Sequence, residues 1–184
     1  MDTGSAEALR QTQQVLSSVT TFADAEDFAS AYLRHEPLTG THPDAGTTAR
    51  VLAAHLDLGL RRGQGCDLVR VSTPRPQSVG WSAGGSTLVQ IVTDDRPFIV
   101  ATCTTILTDA GWTIRGLHHP ILEVRRDADG MLETMAEHEW GALTESWVSI
   151  AAYPPLGSSA DVMSPALQAA LSAGLASSRA AHED

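Results

Sequence analysis

One stretch, Ser86 to Gly111 (STLVQIVTDDRPFIVATCTTILTDAG), constrains the fold more than any other. It reads as a strand, a tight loop and an amphipathic helix. Leu88–Val92 is apolar apart from Gln90 and rich in β-branched residues, which suits a mostly buried strand. Asp94 and Asp95 stop that run. Asp95 stands where a carboxylate caps the first free N–H groups of a helix, and Pro97 fits the first helical turn, where no donor is needed. Phe98 or Ile99, Thr102 or Cys103, Ile106, Leu107 and Ala110 recur on one helical face, and Gly111 suits a left-handed end.

The rest of the chain must supply partners for this unit. At 184 residues it suits one domain with an N-terminal extension, or two small units. The net charge of −10 argues against nucleic acid or an acidic membrane as partner. All 12 basic residues are Arg, so the chain offers no Schiff base, lysine general base or P-loop lysine. Cys66 and Cys103 belong to no CxxC pattern and read as two ordinary buried thiols. The start, MDTGSAEALRQTQQ, has no signal-peptide pattern, and no apolar run approaches a membrane span. The expectation is a soluble, cytoplasmic protein.

Residues 1–65 read as a helical extension: a polar, loosely docked start, a helix over Thr21–His35 with Asp24 as its candidate cap and Pro37 as its stop, a loop over Thr39–Gly46, and a helix over Asp44–Arg62. The Arg61-Arg62 end of the last suits the negative pole of the helix dipole. Residues 66–184 read as the α/β module. Cys66–Thr73 alternates as a strand. Trp112–Arg126 reads as a long strand with a bulge or edge at Gly116 and Pro120. Asp127–Gly130 is a turn, Met131–Met135 a short returning strand, and Glu145–Tyr153 another strand. A last helix is expected from Ser164-Pro165 to Ala181, weakened by Gly174. From Ser86 on the order is β, α, β, β, α, which is a ferredoxin-like βαββαβ unit without its final strand. Either the chain stops before that strand, which favours truncation, or Cys66–Thr73 takes the vacant place. Both give an α+β fold with a mixed or antiparallel sheet and helices on one face.

The strings VTDDRPFIV, GLHHPILEVRRDADG and ESWVSI, in that order, resemble the N-terminal region of the bacterial large NAD-specific glutamate dehydrogenases. AYLRHEP and GWSAGGSTLV are also similar to that family, and the resemblance covers roughly Asp24–Tyr153. It implies an ACT-like regulatory module, a catalytic domain far downstream, and an enzyme converting L-glutamate to 2-oxoglutarate and ammonia. NAD would be used by that downstream domain. This chain has neither lysine nor a GxGxxG motif, so no catalysis, cofactor binding or metal binding is expected of it alone.

Many amino-acid-binding ACT domains resemble a DRPG pattern, whose glycine lets a ligand approach the backbone. Here Phe98 stands at that place, and its ring is expected to fill the core. The candidate effector or interface residues are Asp94, Asp95, Arg96, Pro97, Phe98, His118, His119 and Trp140. Asp94-Asp95 reads as a helix cap, Arg125-Arg126 as a solvated hairpin end, and His118-His119 as one inward and one outward side chain. Trp147 reads as core, Trp140 as an interface anchor. Ser146 lies in no G-x-S-x-G motif. Three roles follow: a non-catalytic regulatory or assembly segment contacting other domains or subunits in a homo-oligomer; an amino-acid effector module acting through the Asp94–Phe98 loop; or a free-standing small regulatory protein.

Overall fold

A computed structural model describes residues 3–34 and 44–183. The expected Pro37 stop and most of the Thr39–Gly46 loop lie outside them. The elements are α1 (Thr3–Val19), α2 (Ala25–Tyr32), α3 (Ala45–Gly59), β1 (Leu68–Ser72), α4 (Pro76–Val79), β2 (Thr87–Asp94), α5 (Ile99–Asp109), β3 (Thr113–His118), β4 (Ile121–Arg126), β5 (Leu132–Met135), β6 (Leu143–Tyr153) and α6 (Ala160–Glu183).

The sheet is antiparallel throughout, in the order β1-β2-β6-β4-β5. Central β6 pairs with β2 along nearly its whole length, and on its other side with β3 and then β4, end to end. β3 and β4 are the long strand expected over Trp112–Arg126. Its register slips between Ile114 and Gly116, and it breaks at His119-Pro120, because proline has no N–H to give the ladder. Pro120 still accepts from Trp147 N at 2.9 Å.

β1 pairs antiparallel with the outer side of β2, Leu68 opposite Val92 and Ser72 opposite Leu88. The strand that precedes the βαββα unit therefore fills the place of its missing last strand.

Alternation along the two central strands separates two cores. Val89, Ile91, Val148 and Ile150 face α5 and α6, with Cys103, Leu107, Leu167 and Leu171. Val92, Leu122, Val124 and Trp147 face α1–α3, with Leu16, Phe28, Tyr32, Leu52 and Leu56. The extension thus covers the second face of the sheet, and α1 is not loosely docked: Leu16 is fully buried. Each large apolar side chain buried in this way contributes roughly 1.5–3 kcal/mol. Two glycines permit close approaches. A Cβ on Gly59 would stand 2.1 Å from the Trp147 ring, and one on Gly174 would stand 2.4 Å from Ile106. Gly174, expected only to weaken α6, is where α6 meets α5.

Three further expectations change. α6 begins five residues before Pro165, which lies inside it. Asp24 precedes α2 but makes no side-chain cap; its Oδ2 accepts from Met135 N at 3.1 Å. Cys103 is buried, burial raising its thiol pKa to about 12, whereas Cys66 is exposed.

Candidate functional site

The β2–α5 loop and the β3–β4 bend lie at the same end of the sheet, joined through β6. Asp94 is paired with Glu145, and Asp95 N donates to Thr144 O at 3.1 Å. The helix that follows starts at Ile99, so Pro97 precedes it instead of occupying its first turn. Its N-cap is Phe98, with no side-chain cap bond. Asp95 is therefore not a cap. Phe98 has φ 68°, the left-handed conformation that favours glycine, and it is 77% exposed. The expected core role for its ring is wrong. The backbone there takes the conformation typical of glycine, while the ring stands in solvent.

Asp94 and Arg96 turn inward, into a chain of alternating charges running Arg126–Glu145–Arg62–Asp94–Arg179–Asp67–Arg96. Glu145 and Arg62 are both fully buried, with Nη2 2.7 Å from Oε1. Arg126 closes a second pair on Glu145 at 2.7 and 2.9 Å and also donates to the carbonyls of Gly59 and Gly130. Arg62 Nη1 donates to Cys66 O at 2.9 Å, and Trp147 Nε1 to Glu145 Oε2 at 3.1 Å. Arg179, near the end of α6, bridges Asp94 and Asp67 at 2.6 Å each. Arg96 reaches Asp67, Thr93 and the carbonyl of Leu175. Burial pushes the Asp94 and Asp67 carboxyls up, but the bonds from Arg179 and their other partners outweigh it and hold both below the usual range. Desolvating charges costs several kcal/mol each, so this network is tenable because most of its donors are met, Arg96 Nε and Arg179 Nε being the buried exceptions. It fastens the loop to α6, β1, β4 and the end of α3.

The sequence placed Arg62 at a helix dipole and Arg126 at a solvated hairpin tip; both are buried ion-pair partners. Arg125 alone matches the solvated reading, paired at the surface with Glu139. The only sequence signals for the network were acids at strand ends and two arginine doublets, and neither says which side chain turns inward.

Beside the loop, an open cleft of about 880 Å3 lies between α2, the β3–β4 bend and residues 135–139. Both histidines of the doublet line it, because the chain bends between them and Pro120. His118 is buried and its Nε2 donates to Tyr32 O at 2.6 Å. His119 Nε2 lies 2.9 Å from Ser146 Oγ, which donates to Asp95 Oδ1 at 2.6 Å. Ser146, passed over in the sequence for want of a motif, thus connects the cleft to the loop. It stands between His and Asp, so this is no Ser–His–Asp nucleophile arrangement, in which the imidazole is central. Burial lowers the His119 pKa, partly opposed by Asp95 and assisted by His118. His138 lines the rim, and Trp140 is 100% exposed on the next turn. Among the described residues no group of three or more His, Cys, Asp or Glu could hold a metal ion. No described helix is long and apolar enough to cross a membrane.

Residues 28–154 match the family described as glutamate dehydrogenase, ACT1 domain. The chain belongs to that family. No curated protein and no solved structure matches it. The matched span of the ACT1 domain starts within α2 and ends just after β6. It therefore includes β1, the strand that completes the sheet, and both halves of the Asp95–Ser146–His119 connection. α6, which brings Arg179 to the network, follows the matched span.

Proposed function

We propose that the chain is a non-catalytic regulatory and assembly segment of an NAD-dependent glutamate dehydrogenase of the large bacterial type. The observation that carries this reading is the family match over α2–β6, an ACT domain of a glutamate dehydrogenase. The whole enzyme would oxidatively deaminate L-glutamate to 2-oxoglutarate and ammonia in the cytoplasm, with NAD bound by a catalytic domain downstream of this one. The segment's task would be to hold that domain in place through contacts with other domains or with copies of itself in a homo-oligomer.

The contact surface favoured by the structure is the sheet end carrying Phe98 and Trp140. Both rings are exposed, and aromatic side chains dominate binding energy at interfaces. The outer strands are less available. Val71 N on β1 is met by Gln168 Oε1, and Met135 N on β5 by Asp24. Sedimentation of the isolated chain at rising concentration tests this: association abolished by Phe98→Ala with Trp140→Ala is expected, and a strict monomer throughout contradicts it.

A second reading, an amino-acid effector held by the Asp94–Phe98 loop, is favoured by the glycine-type backbone of Phe98. Against it, the Arg96 guanidinium is engaged with Asp67 and Leu175 O, so an effector carboxylate would have to displace them. Calorimetric titration with a panel of amino acids decides between the two; no heat with any of them removes the effector.

A further inference from the structure

We propose that the buried arginine cluster behind the β2–α5 loop is a site for one small monovalent anion, chloride being the common one, held by the Nε–H groups of Arg96 and Arg179. This goes beyond the regulatory reading and does not rest on it.

The cluster carries an excess of positive charge. Its chain of ion pairs begins and ends on arginine: Arg126, Arg62, Arg179 and Arg96 stand against Glu145, Asp94 and Asp67. At the Arg126 end the pairing is complete. Glu145 meets Arg126 through both oxygens, and the carbonyls of Gly59 and Gly130 take the remaining donor. The excess falls at the Arg96 end. The one carboxylate that Arg96 meets, Asp67, is shared with Arg179, which holds it more closely, at 2.6 Å against 3.2 Å. The Arg96 side chain is only 3% exposed, so water does little to screen the excess.

Two donors stand open at that same end. Nε of Arg96 and Nε of Arg179 are buried and have no acceptor. Both guanidiniums also reach Thr93 Oγ1 and Asp67 Oδ1, so the two open donors belong to one cluster. Thr93 gives its single hydroxyl proton to Asp67 and already accepts from both arginines. Burial pushes the Cys103 thiol up to about 12 in spite of the Arg96 charge, so it stays protonated and supplies no anion. Among the described residues no further carboxylate pairs with the cluster.

A water molecule would satisfy the two N–H groups and leave the charge uncompensated. One monovalent anion does both. A dianion such as phosphate would reverse the imbalance, and an organic acid would carry a body toward donors that are closed off from solvent. Chloride held there ties the β2–α5 loop to α6, because Arg96 belongs to the one and Arg179 to the other.

The test is thermal denaturation of the full chain at a fixed ionic strength of about 0.15 M, with sodium gluconate exchanged stepwise for sodium chloride so that screening stays constant. A saturable rise in melting temperature of roughly 2–4 °C is expected, and bromide should reproduce it. The rise should disappear in Arg96→Gln, which removes the excess charge and one open donor. It should persist in Arg125→Gln, whose guanidinium lies at the surface. No rise, a rise without saturation, a rise kept in full by Arg96→Gln, or one equally lost in Arg125→Gln overturns the proposal. Should Arg96→Gln unfold, the chlorine magnetic resonance of chloride with the unaltered chain decides. Excess line width that bromide removes is expected, and no excess width overturns the site.

Discussion

Arg62 and Glu145, far apart in sequence, form a fully buried ion pair with Nη2 2.7 Å from Oε1. Glu145 is also the acceptor for Arg126 and for the indole of Trp147. Glu145→Ala leaves two guanidiniums and an indole N–H without their carboxylate. The expected loss is about 3–5 kcal/mol, the usual result of stripping one partner from a buried pair. Urea denaturation measures it. A loss under about 1 kcal/mol would show that water reaches the network, as at a surface pair.

Gly59→Ala is expected to cost at least about 1–3 kcal/mol, since the new methyl would meet the Trp147 ring at 2.1 Å and neither α3 nor the core can yield freely. The same substitution at Gly65, which has open space around it, costs only the strain of a positive φ. Thermal melts of the two variants should rank Gly59→Ala as the worse.

Phe98→Gly should stabilise the chain by about 1 kcal/mol, because a non-glycine residue in the left-handed region carries that order of strain and the ring it loses is largely exposed. For a domain of this size the melting temperature should rise by roughly 2–4 °C. A fall would mean that the ring makes a contact the exposed geometry does not show.

His55 sets an acid limit. It is buried between Ile91 O, to which Nε2 donates at 3.1 Å, and Tyr32 OH, which donates to Nδ1 at 2.7 Å. Burial, chiefly, pushes its pKa down to about 3. Between the ordinary histidine value and about pH 3 the unfolded chain binds a proton that the folded chain refuses. Stability is therefore fully present above about pH 6.5 and falls as the pH drops, by up to about 1.4 kcal/mol per unit. His119, also lowered, adds to the fall. Denaturation midpoints from pH 7.5 to 4.5 check this, and His55→Gln should flatten the curve. A flat curve in the unaltered chain would contradict the buried neutral imidazole.

Local signals were legible in the sequence. The β2 pattern, the core role of Trp147, and the Asp127 turn, whose Oδ1 accepts from Asp129 N and Met131 N, follow from periodicity and turn chemistry. So does the break near Gly116 and Pro120. Long-range pairing was not legible: the sequence left open whether β1 takes the vacant place in the sheet, and its register with β2 shows that it does. Side-chain direction at element ends was the other gap. Arg62, Arg126 and Arg96 carry the composition of solvated residues, and their burial depends on carboxylates that arrive from β2, β6 and the loop before β1. Phe98 is apolar, which by composition alone points inward, but the left-handed backbone carries its ring out. Ser146 acquires meaning only once the bend at Pro120 brings His119 beside it.

The central claim is that this chain is a segment of a glutamate dehydrogenase with no catalytic role of its own. The direct measurement is the size of the native polypeptide in source cells, by blotting with an antibody raised to this chain. The account predicts a band far larger than 19.5 kDa, with glutamate-dependent NAD reduction in the protein the antibody captures. A band at 19.5 kDa would contradict it.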